Sequence, residues 1–137
     1  MNIESYNHRG GDFLELVRIL KALGDESRIK ILNILREGGL CVGEIEHILG
    51  MTQSNVSRHL NRLASLNIIT YEKKSQWVYY KINEDKISEY PFIRQLMDVE
   101  MDKIELCRKD TEMLHCYKQS GMTCEQLKEC TNKGKGL

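Results

Sequence analysis

The stretch Met51–Ile69, MTQSNVSRHLNRLASLNII, determines how the rest of the chain is interpreted. Val56, Leu60 and Leu63 stand at i, i+4 and i+7, and at about 100° per residue this spacing places them on one face of an α-helix. The opposite face carries only polar side chains, namely Ser54, Arg58, Asn61, Arg62 and Ser65. Arg binds guanine or phosphate, Asn pairs with adenine and Ser reaches either. The stretch therefore predicts a helix that lies in the major groove of DNA.

The segments on either side of this helix strengthen that prediction. A short helix fits Cys41 to Leu49, is ended by Gly50, and is separated from the next helix only by a brief link, which predicts a helix-turn-helix. Alternating apolar residues at 68–72 and 77–82 predict two strands around a polar turn, and a basic hairpin in this place is a wing. The predicted DNA contacts are Gln53, Ser54, Asn55, Ser57, Arg58, Asn61, Arg62, Lys73, Lys74 and Gln76.

Two helices are predicted upstream of the helix-turn-helix. Apolar residues repeat at helical spacing from Phe13 to Leu20, with Asp12 placed to cap the start and Gly24 to end the helix. Asp25 or Ser27 caps a second helix, which stops at Gly38-Gly39. Its apolar residues lie nearly all round, so we expect it to be the buried central helix.

Downstream of the wing, the pattern predicts one long helix and a short final one. Pro91 fits the first turn of a helix that continues to about Lys118. Its apolar stripe is expected to bury against a second copy of the protein. Thr123 and Gln126 form a capping box for the last helix. Together with the first helix, the stripe gives a predicted dimer interface of Phe13, Leu16, Ile93, Met97, Met101 and Ile104.

The chain is thus predicted to be mainly α with a small β-hairpin wing, as a dimeric winged helix-turn-helix. We divide it into a DNA-binding core at residues 1–82, a long dimerisation helix at 83–119 and a cysteine-containing tail at 120–137. The full length of 137 residues suits one compact domain with appendages.

Composition and charge narrow the class of protein further. No apolar run approaches the roughly 18 residues of a membrane span, and the first residues lack the apolar segment of a secretory signal. We therefore expect a cytoplasmic protein with no membrane partner. The 20 basic and 20 acidic residues cancel, but residues 52–81 contain five basic side chains and one acidic one. A local basic patch suits a protein that touches phosphates with one surface only.

Five cysteines in a chain without an export signal argue against a disulfide framework. Cys41 lies at a helix N-terminus, where the helix dipole favours the thiolate form that binds soft ions. If the long helix is continuous, Cys107 and Cys116 are about 13.5 Å apart along its axis and face opposite ways. Cys124 and Cys130 are about 9 Å apart in a helix. A site must therefore join different segments, unless these thiols are simply small buried hydrophobic residues.

The preferred combination is Cys41 with Cys107 or Cys124, from the same subunit or from its partner. Cys116 and Cys130 are further candidates. His59, on the flank of the apolar stripe, is expected to be a hydrogen-bonded packing residue rather than a ligand.

Over residues 14–82 the chain resembles the ArsR/SmtB family of metal-responsive winged-helix repressors. The resemblance rests on LKALGDESRIKILNILREGGLCVGEI, on SNVSRHLNRLASLNII and on QWVYYKIN. It implies a symmetric dimer, built by the first and last helices, that leaves its operator when an effector binds.

This chain departs from the family pattern at both of the usual sensor sites. The arsenic and cadmium branch carries Glu-Leu-Cys-Val-Cys-Asp-Leu in the third helix, where residues 39–45 retain only the first cysteine, Cys41. The zinc branch uses Asp-x-His at the start of the long helix, where Glu84, Asp85 and Lys86 stand instead. The resemblance therefore disfavours zinc sensing at that second site.

Three functions follow from these observations. The preferred one is a dimeric repressor that dissociates from double-stranded operator DNA when trivalent arsenic or antimony binds cysteine thiolates, with no cofactor required for DNA binding. An alternative is the same repressor sensing oxidants or reactive sulfur through its thiols. A thiol oxidoreductase or metal carrier is a third reading, which the absence of a Cys-x-x-Cys pair disfavours.

Overall fold

The computed structural model describes residues 12–127. Helix α1 (Phe13–Leu23) begins where the sequence predicts, because Asp12 accepts a hydrogen bond from the backbone N–H of Leu14. Helix α2 (Glu26–Leu35) is capped by Asp25, one of the two predicted caps, which accepts from the N–H of Arg28, and it ends at Leu35, before the predicted stop at Gly38-Gly39. Residues 31–35 of α2 are all buried, so α2 is the central helix, as predicted. It contacts α1 and the elements described next.

The helix-turn-helix and the wing follow. Its two helices are α3 (Val42–Leu49) and α4 (Gln53–Ser65), and the wing strands are β2 (Ile69–Lys74) and β3 (Trp77–Ile82). A two-residue strand, β1 (Leu40–Cys41), was not predicted and pairs antiparallel with β3, which gives the sheet the order β1-β3-β2. The wing turn is tighter than predicted, because strand pairing continues to Lys74 and Trp77.

The predicted single long helix over 83–119 is wrong. The structure has α5 (Glu84–Glu89), α6 (Pro91–Gln95), a π-helical turn (Leu96–Glu100), a 3-10 turn (Met101–Lys103) and α7 (Glu105–Gln119). Ile104 interrupts the path with extended backbone at φ −94° and ψ 120°. A further helical segment begins at 124 and is described as far as 127, and its capping box of Thr123 with Gln126 is present as predicted.

Most of the apolar stripe that the sequence assigns to the dimer interface packs instead inside the protomer. Ile93, Met97 and Met101 are 0% exposed within a single chain, so all three face the core of the protomer. Ile104 lies at the break and is 43% exposed. Arg36, the C-cap of α2, contacts both turns, because it donates to the carbonyl of Met97 and pairs with Asp102 at 2.5 Å.

The predicted dimer interface is therefore corrected in part. Ile93, Met97 and Met101 belong to the core of the protomer and are not available to a partner. Phe13 on α1 is 75% exposed, whereas Leu16 is half-buried against the core. Other exposed apolar side chains lie on α1, on the wing, on α6, on the π turn and along α7, and they include Leu14, Leu20, Tyr71, Phe92, Val99, Leu106 and Met113. None of the helices within residues 12–127 combines the length and apolar character that crossing a membrane requires.

Candidate DNA-binding surface and thiol cluster

Local sequence fixes the geometry of the helix-turn-helix. Helix α3 ends at Gly50, whose φ of 66° is a left-handed conformation that glycine adopts at little cost. Two residues later the hydroxyl of Thr52 accepts from the backbone N–H of Asn55 and starts α4. The predicted inner stripe of α4, Val56, Leu60 and Leu63, is 0% exposed. The core therefore sets the rotation of α4 and directs its polar face outward.

The ten predicted DNA contacts lie on the outer side of α4 and at the tip of the wing. Nine of them are exposed and one, Ser57, is half-buried. Lys73, Lys74 and Gln76 flank the wing turn, where Ser75 has a φ of 59°. The structure thus presents two separate polar surfaces, a helix face and a hairpin tip, with Arg58 and Arg62 on the first of them.

The buried polar side chain of His59 lies on the inner side of α4. His59 is 3% exposed, and its Nδ1 lies 3.2 Å from Nη1 of Arg28 and 3.9 Å from a carboxylate oxygen of Asp25. Burial lowers the pKa of His59, and the nearby charges of Arg58 and Arg28 lower it further against the opposing effect of Asp25. His59 is therefore the hydrogen-bonded packing residue that the sequence predicts, and it joins α4 to the start of α2.

The thiol cluster lies at the N-terminus of α3. Cys41 and Cys124 form a disulfide with a Cα–Cα distance of 6.8 Å, although they are 83 residues apart in the sequence. The sequence argued against a disulfide framework, and the structure nevertheless joins this one pair of cysteines. The physical reason is that Thr123 starts a last helix whose first residue, Cys124, packs directly on the start of α3.

A carboxylate completes this cluster. One donor atom from each of Cys41, Glu44 and Cys124 lies within 4.8 Å of the other two, and all three residues are buried. The Oε1 atom of Glu44 accepts from the backbone N–H of Cys41 at 3.0 Å, and Oε2 accepts from the hydroxyl of Tyr117 at 2.6 Å. Burial, together with the hydrogen bond to Glu44 and its negative charge, raises the pKa of Tyr117, so its hydroxyl remains a proton donor.

The other candidate cysteines do not join this cluster. Cys107 is buried on α7 against α2, where its carbonyl accepts from Nδ2 of Asn33 at 2.8 Å. Burial raises the pKa of the Cys107 thiol, and the charge of Asp110 raises it further. Cys116 is exposed on α7. Cys130 lies outside the described residues. The predicted combination of Cys41 with Cys107 is therefore not assembled within one protomer, whereas Cys41 and Cys124 are brought together.

Sequence reasoning missed Glu44 and Tyr117. A signal for Glu44 was present, because a glutamate three residues after a helix N-cap often reaches back to the N-cap N–H, as it does here to Cys41. Tyr117 had no comparable local signal. Its contact with Glu44 spans 73 residues and depends on how α7 packs against α3.

The structure is a winged helix-turn-helix domain, built from the central helix, the helix-turn-helix and the basic hairpin. Domains of this kind are found in DNA-binding transcriptional regulators rather than in enzymes. Residues 25–71 match the family described as "Bacterial regulatory protein, arsR family". The chain belongs to this arsR family.

Individual relatives agree with this assignment. The arsenic resistance transcriptional regulator ArsR1 of Pseudomonas putida is 39% identical over 80 residues, which cover 56% of this chain and 62% of the relative. The chain thus spans less than two thirds of that relative's length. The transcriptional repressor SdpR of Bacillus subtilis is 34% identical over 65 residues, covering 47% of this chain and 72% of SdpR.

A solved structure shows the same fold. The homodimeric winged helix-turn-helix DNA-binding domain of Mb0332 from Mycobacterium bovis superposes with a TM-score of 0.54 at 26% identity. The match covers 60% of this chain and 76% of that domain. The family and the winged helix-turn-helix predicted from the sequence are therefore confirmed.

Proposed function

We propose that this protein is a homodimeric repressor that holds double-stranded operator DNA and releases it when a soft metal(loid) binds the thiolates of Cys41 and Cys124. One observation carries the proposal: these two cysteines meet at the first residue before α3, which is the first helix of the helix-turn-helix. A ligand at this point acts directly on the DNA-binding element.

The proposed DNA contacts are chosen for the exposure of their side chains and for the groups of DNA that those side chains bind. Arg58, Asn61 and Arg62 project from the outer face of α4 and are assigned to base edges and adjacent phosphates in the major groove. Lys73 and Lys74 at the wing tip are assigned to phosphates, where lysine acts as a point charge. Two copies of this surface would bind two half-sites, and linking them strengthens binding because the second contact is intramolecular.

The partner copy is assigned to the exposed apolar side chains of α1, which begin at Phe13. Phe13, Leu14 and Leu20 are 75%, 61% and 51% exposed, which is unusual for side chains of this size on one short helix. The homodimeric Mb0332 domain supports this assignment by family likeness.

The proposed release of operator DNA depends on the position of Cys41, one of the two residues that bind the metal(loid). Cys41 is the N-cap of α3, and only Gly50, Met51 and Thr52 separate α3 from α4. A ligand that fixes Cys41 to Cys124 ties α3 to the segment that follows α7. If this arrangement differs from the one in the DNA-bound dimer, ligand binding shifts the population toward the free state.

Trivalent arsenic or antimony is the proposed effector, acting in the cytoplasm. The arsenic regulator ArsR1 of Pseudomonas putida is a relative in the same family. Soft ions prefer thiolates, and trivalent arsenic is best satisfied by three. Cys41 and Cys124 supply two of these three sulfurs.

An alternative effector is an oxidant or a reactive sulfur species. A specific observation favours it, since the sulfur atoms of Cys41 and Cys124 are joined in the structure. Oxidation of the reduced pair removes two protons and two electrons and forms one S–S bond. The same two residues therefore serve both effectors.

Operator release under two conditions separates the two effectors. Reduced protein on labelled operator DNA is titrated with arsenite in anaerobic buffer that contains a phosphine reductant. We expect release, because the thiolates stay available and no oxidant is present. Release only by a thiol oxidant, with none by arsenite, would replace the metalloid with a redox signal. Failure of the reduced protein to bind operator DNA would contradict repression itself.

Replacing Arg58 or Arg62 by alanine should weaken operator binding by about 1–3 kcal/mol for a base contact. Both side chains are exposed on α4, so their loss should leave the fold and the dimer intact. The measurement is operator affinity at one fixed salt concentration. Lys109→Ala, at an exposed position on α7, is the matched charge control. Unchanged affinity in both arginine variants would remove α4 from the groove.

A further inference from the structure

We propose that the buried His59 is a positioning residue for Arg58, whose guanidinium donates a hydrogen bond to Nε2 of the neutral ring and is thereby oriented for DNA. The inference rests on the proposed function, because Arg58 is one of the proposed contacts to a base edge or a phosphate. It goes beyond that function by giving a part in DNA recognition to a side chain that lies beneath the DNA-binding surface.

Each ring nitrogen of His59 faces a guanidinium group. Nδ1 lies 3.2 Å from Nη1 of Arg28 on α2, and Nε2 lies 3.4 Å from Nη2 of Arg58 on α4. A guanidinium group only donates hydrogen bonds, whereas a neutral imidazole has one N–H donor and one acceptor nitrogen. The ring therefore accepts from Arg28 or from Arg58, but not from both at once.

Arg28 has other acceptors beside it. Its Nε donates to the carbonyl of Ala22 at 2.6 Å, and its Nη2 lies 3.8 Å from the carboxylate of Asp25. Within residues 12–127, Arg58 forms no salt bridge. We therefore assign the acceptor nitrogen of the ring to Arg58.

Asp25 favours the tautomer that this assignment requires. When Nε2 is the acceptor, the ring proton is on Nδ1, which lies 3.9 Å from a carboxylate oxygen of Asp25. A second proton on the ring would face guanidinium groups at both nitrogens. Burial lowers the pKa of His59, and the charges of Arg58 and Arg28 lower it further against the opposing effect of Asp25. The ring is therefore neutral, and Nε2 is able to accept.

A hydrogen bond to His59 leaves Arg58 able to bind DNA. The guanidinium has five N–H donors, so one can bond to the ring while the others remain for guanine or phosphate. Arg58 is exposed, and a long exposed side chain loses conformational freedom when it binds a partner. A residue that orders this side chain in advance reduces that loss. The ring itself is 3% exposed and packs beside Arg28, which is bonded to the end of α1 at Ala22, so the position of Arg58 depends on α1 and α2 as well.

The experiment is a double-mutant cycle on DNA affinity. The probe is a labelled duplex selected from random sequence for binding to the reduced full chain. His59→Leu removes the acceptor and keeps a buried side chain, and it should weaken binding about 3-fold to 10-fold, the usual cost of ordering a long side chain on binding. His59→Gln keeps an acceptor oxygen, so it should recover most of that loss.

The second substitution separates positioning from a merely structural role. In an Arg58→Ala background the positioned side chain is absent, so His59→Leu should cause no further loss of affinity. In a Lys73→Ala background, which removes a proposed contact at the wing tip, the full loss should remain. Equal losses in the parent and in both backgrounds would mean that His59 only stabilises α4, and would overturn the inference.

Nitrogen NMR of the His59 ring tests the contact without DNA. We expect a proton on Nδ1 and none on Nε2 in the reduced parent protein. Asp25→Asn, which keeps a residue able to cap α2, should shift the ring toward the other tautomer. A proton on Nε2 in the parent would overturn the inference, whether or not the leucine variant folds.

The single variant Arg58→Ala separates this inference from the proposed function. If it binds the duplex more weakly than the parent but the loss from His59→Leu is additive, the proposed DNA contact stands and this inference ends. If Arg58→Ala binds the duplex as the parent does, Arg58 is not a DNA contact, and the proposed contact and this inference both fail.

Discussion

Replacing Cys41 or Cys124 with serine should abolish arsenite-driven release of operator DNA. Either change leaves one thiolate where two are needed, and a single thiolate holds a soft ion poorly. The arsenite concentration for half-release should rise by about 100-fold or more, which corresponds to about 2.7 kcal/mol of binding free energy. Operator affinity without arsenite should stay near the parent value, because neither cysteine lies on the outer face of α4.

The measurement is a titration of each variant against labelled operator DNA in reducing, metal-free buffer. Cys116→Ser is the matched control, because its thiol is exposed on α7 and lies outside the cluster. Cys107→Ser provides a second comparison, at a buried cysteine on α7 whose backbone carbonyl accepts a hydrogen bond from Asn33 of α2. If Cys41→Ser releases DNA at the parent's arsenite concentration, the sensor lies elsewhere, and the thiols outside this pair would have to form it.

Met97→Ala should lower the free energy of unfolding by about 2–5 kcal/mol, the usual cost of truncating a fully buried methionine to alanine. Met97 is 0% exposed inside one protomer, and its carbonyl accepts a hydrogen bond from Arg36. The loss should therefore appear as reduced stability of the protomer itself. Denaturant unfolding at two protein concentrations measures it, because a loss in the dimer interface would instead depend on concentration.

Met113→Ala is the control for this prediction. Met113 is 49% exposed on α7, so its truncation should change stability by no more than about 0.5 kcal/mol. A Met97→Ala variant that unfolds like the parent but dissociates into monomers would restore the apolar stripe to the dimer interface. The two methionines thus separate an apolar stripe buried in the core from an apolar surface left for a partner.

The path of the chain after the apolar stripe also positions the cluster of Cys41, Glu44 and Cys124. Because the path turns at Ile104, α7 lies against α2 and α3 and carries Tyr117 to Glu44. The chain then reverses near Gly121, where φ is 73°, and returns Cys124 to the start of α3. A straight helix over the same residues would carry Cys124 away from Cys41. The break is therefore what connects the end of the described chain to the helix-turn-helix.

The sequence by itself determined the local elements of the DNA-binding region. The spacing of Val56, Leu60 and Leu63 specified both the helix and its buried side, and all three are 0% exposed. Caps at Asp12, Asp25 and Gly50 placed helix ends within about a residue. These features are readable because helical periodicity and capping depend on residues only a few positions apart.

Only the tertiary structure decided against which surface each apolar stripe packs. It also decided which residues that are distant in the sequence come into contact. Ile93, Met97 and Met101 have the spacing of a helix face, but spacing does not say whether that face packs on its own core or on a second copy. Strand β1 exists only because β3 lies beside it. The cluster of Cys41, Glu44 and Cys124 depends on a contact across 83 residues. No local pattern encodes such a contact, because the packing of α7 against the core and the reversal after it fix where Cys124 lies.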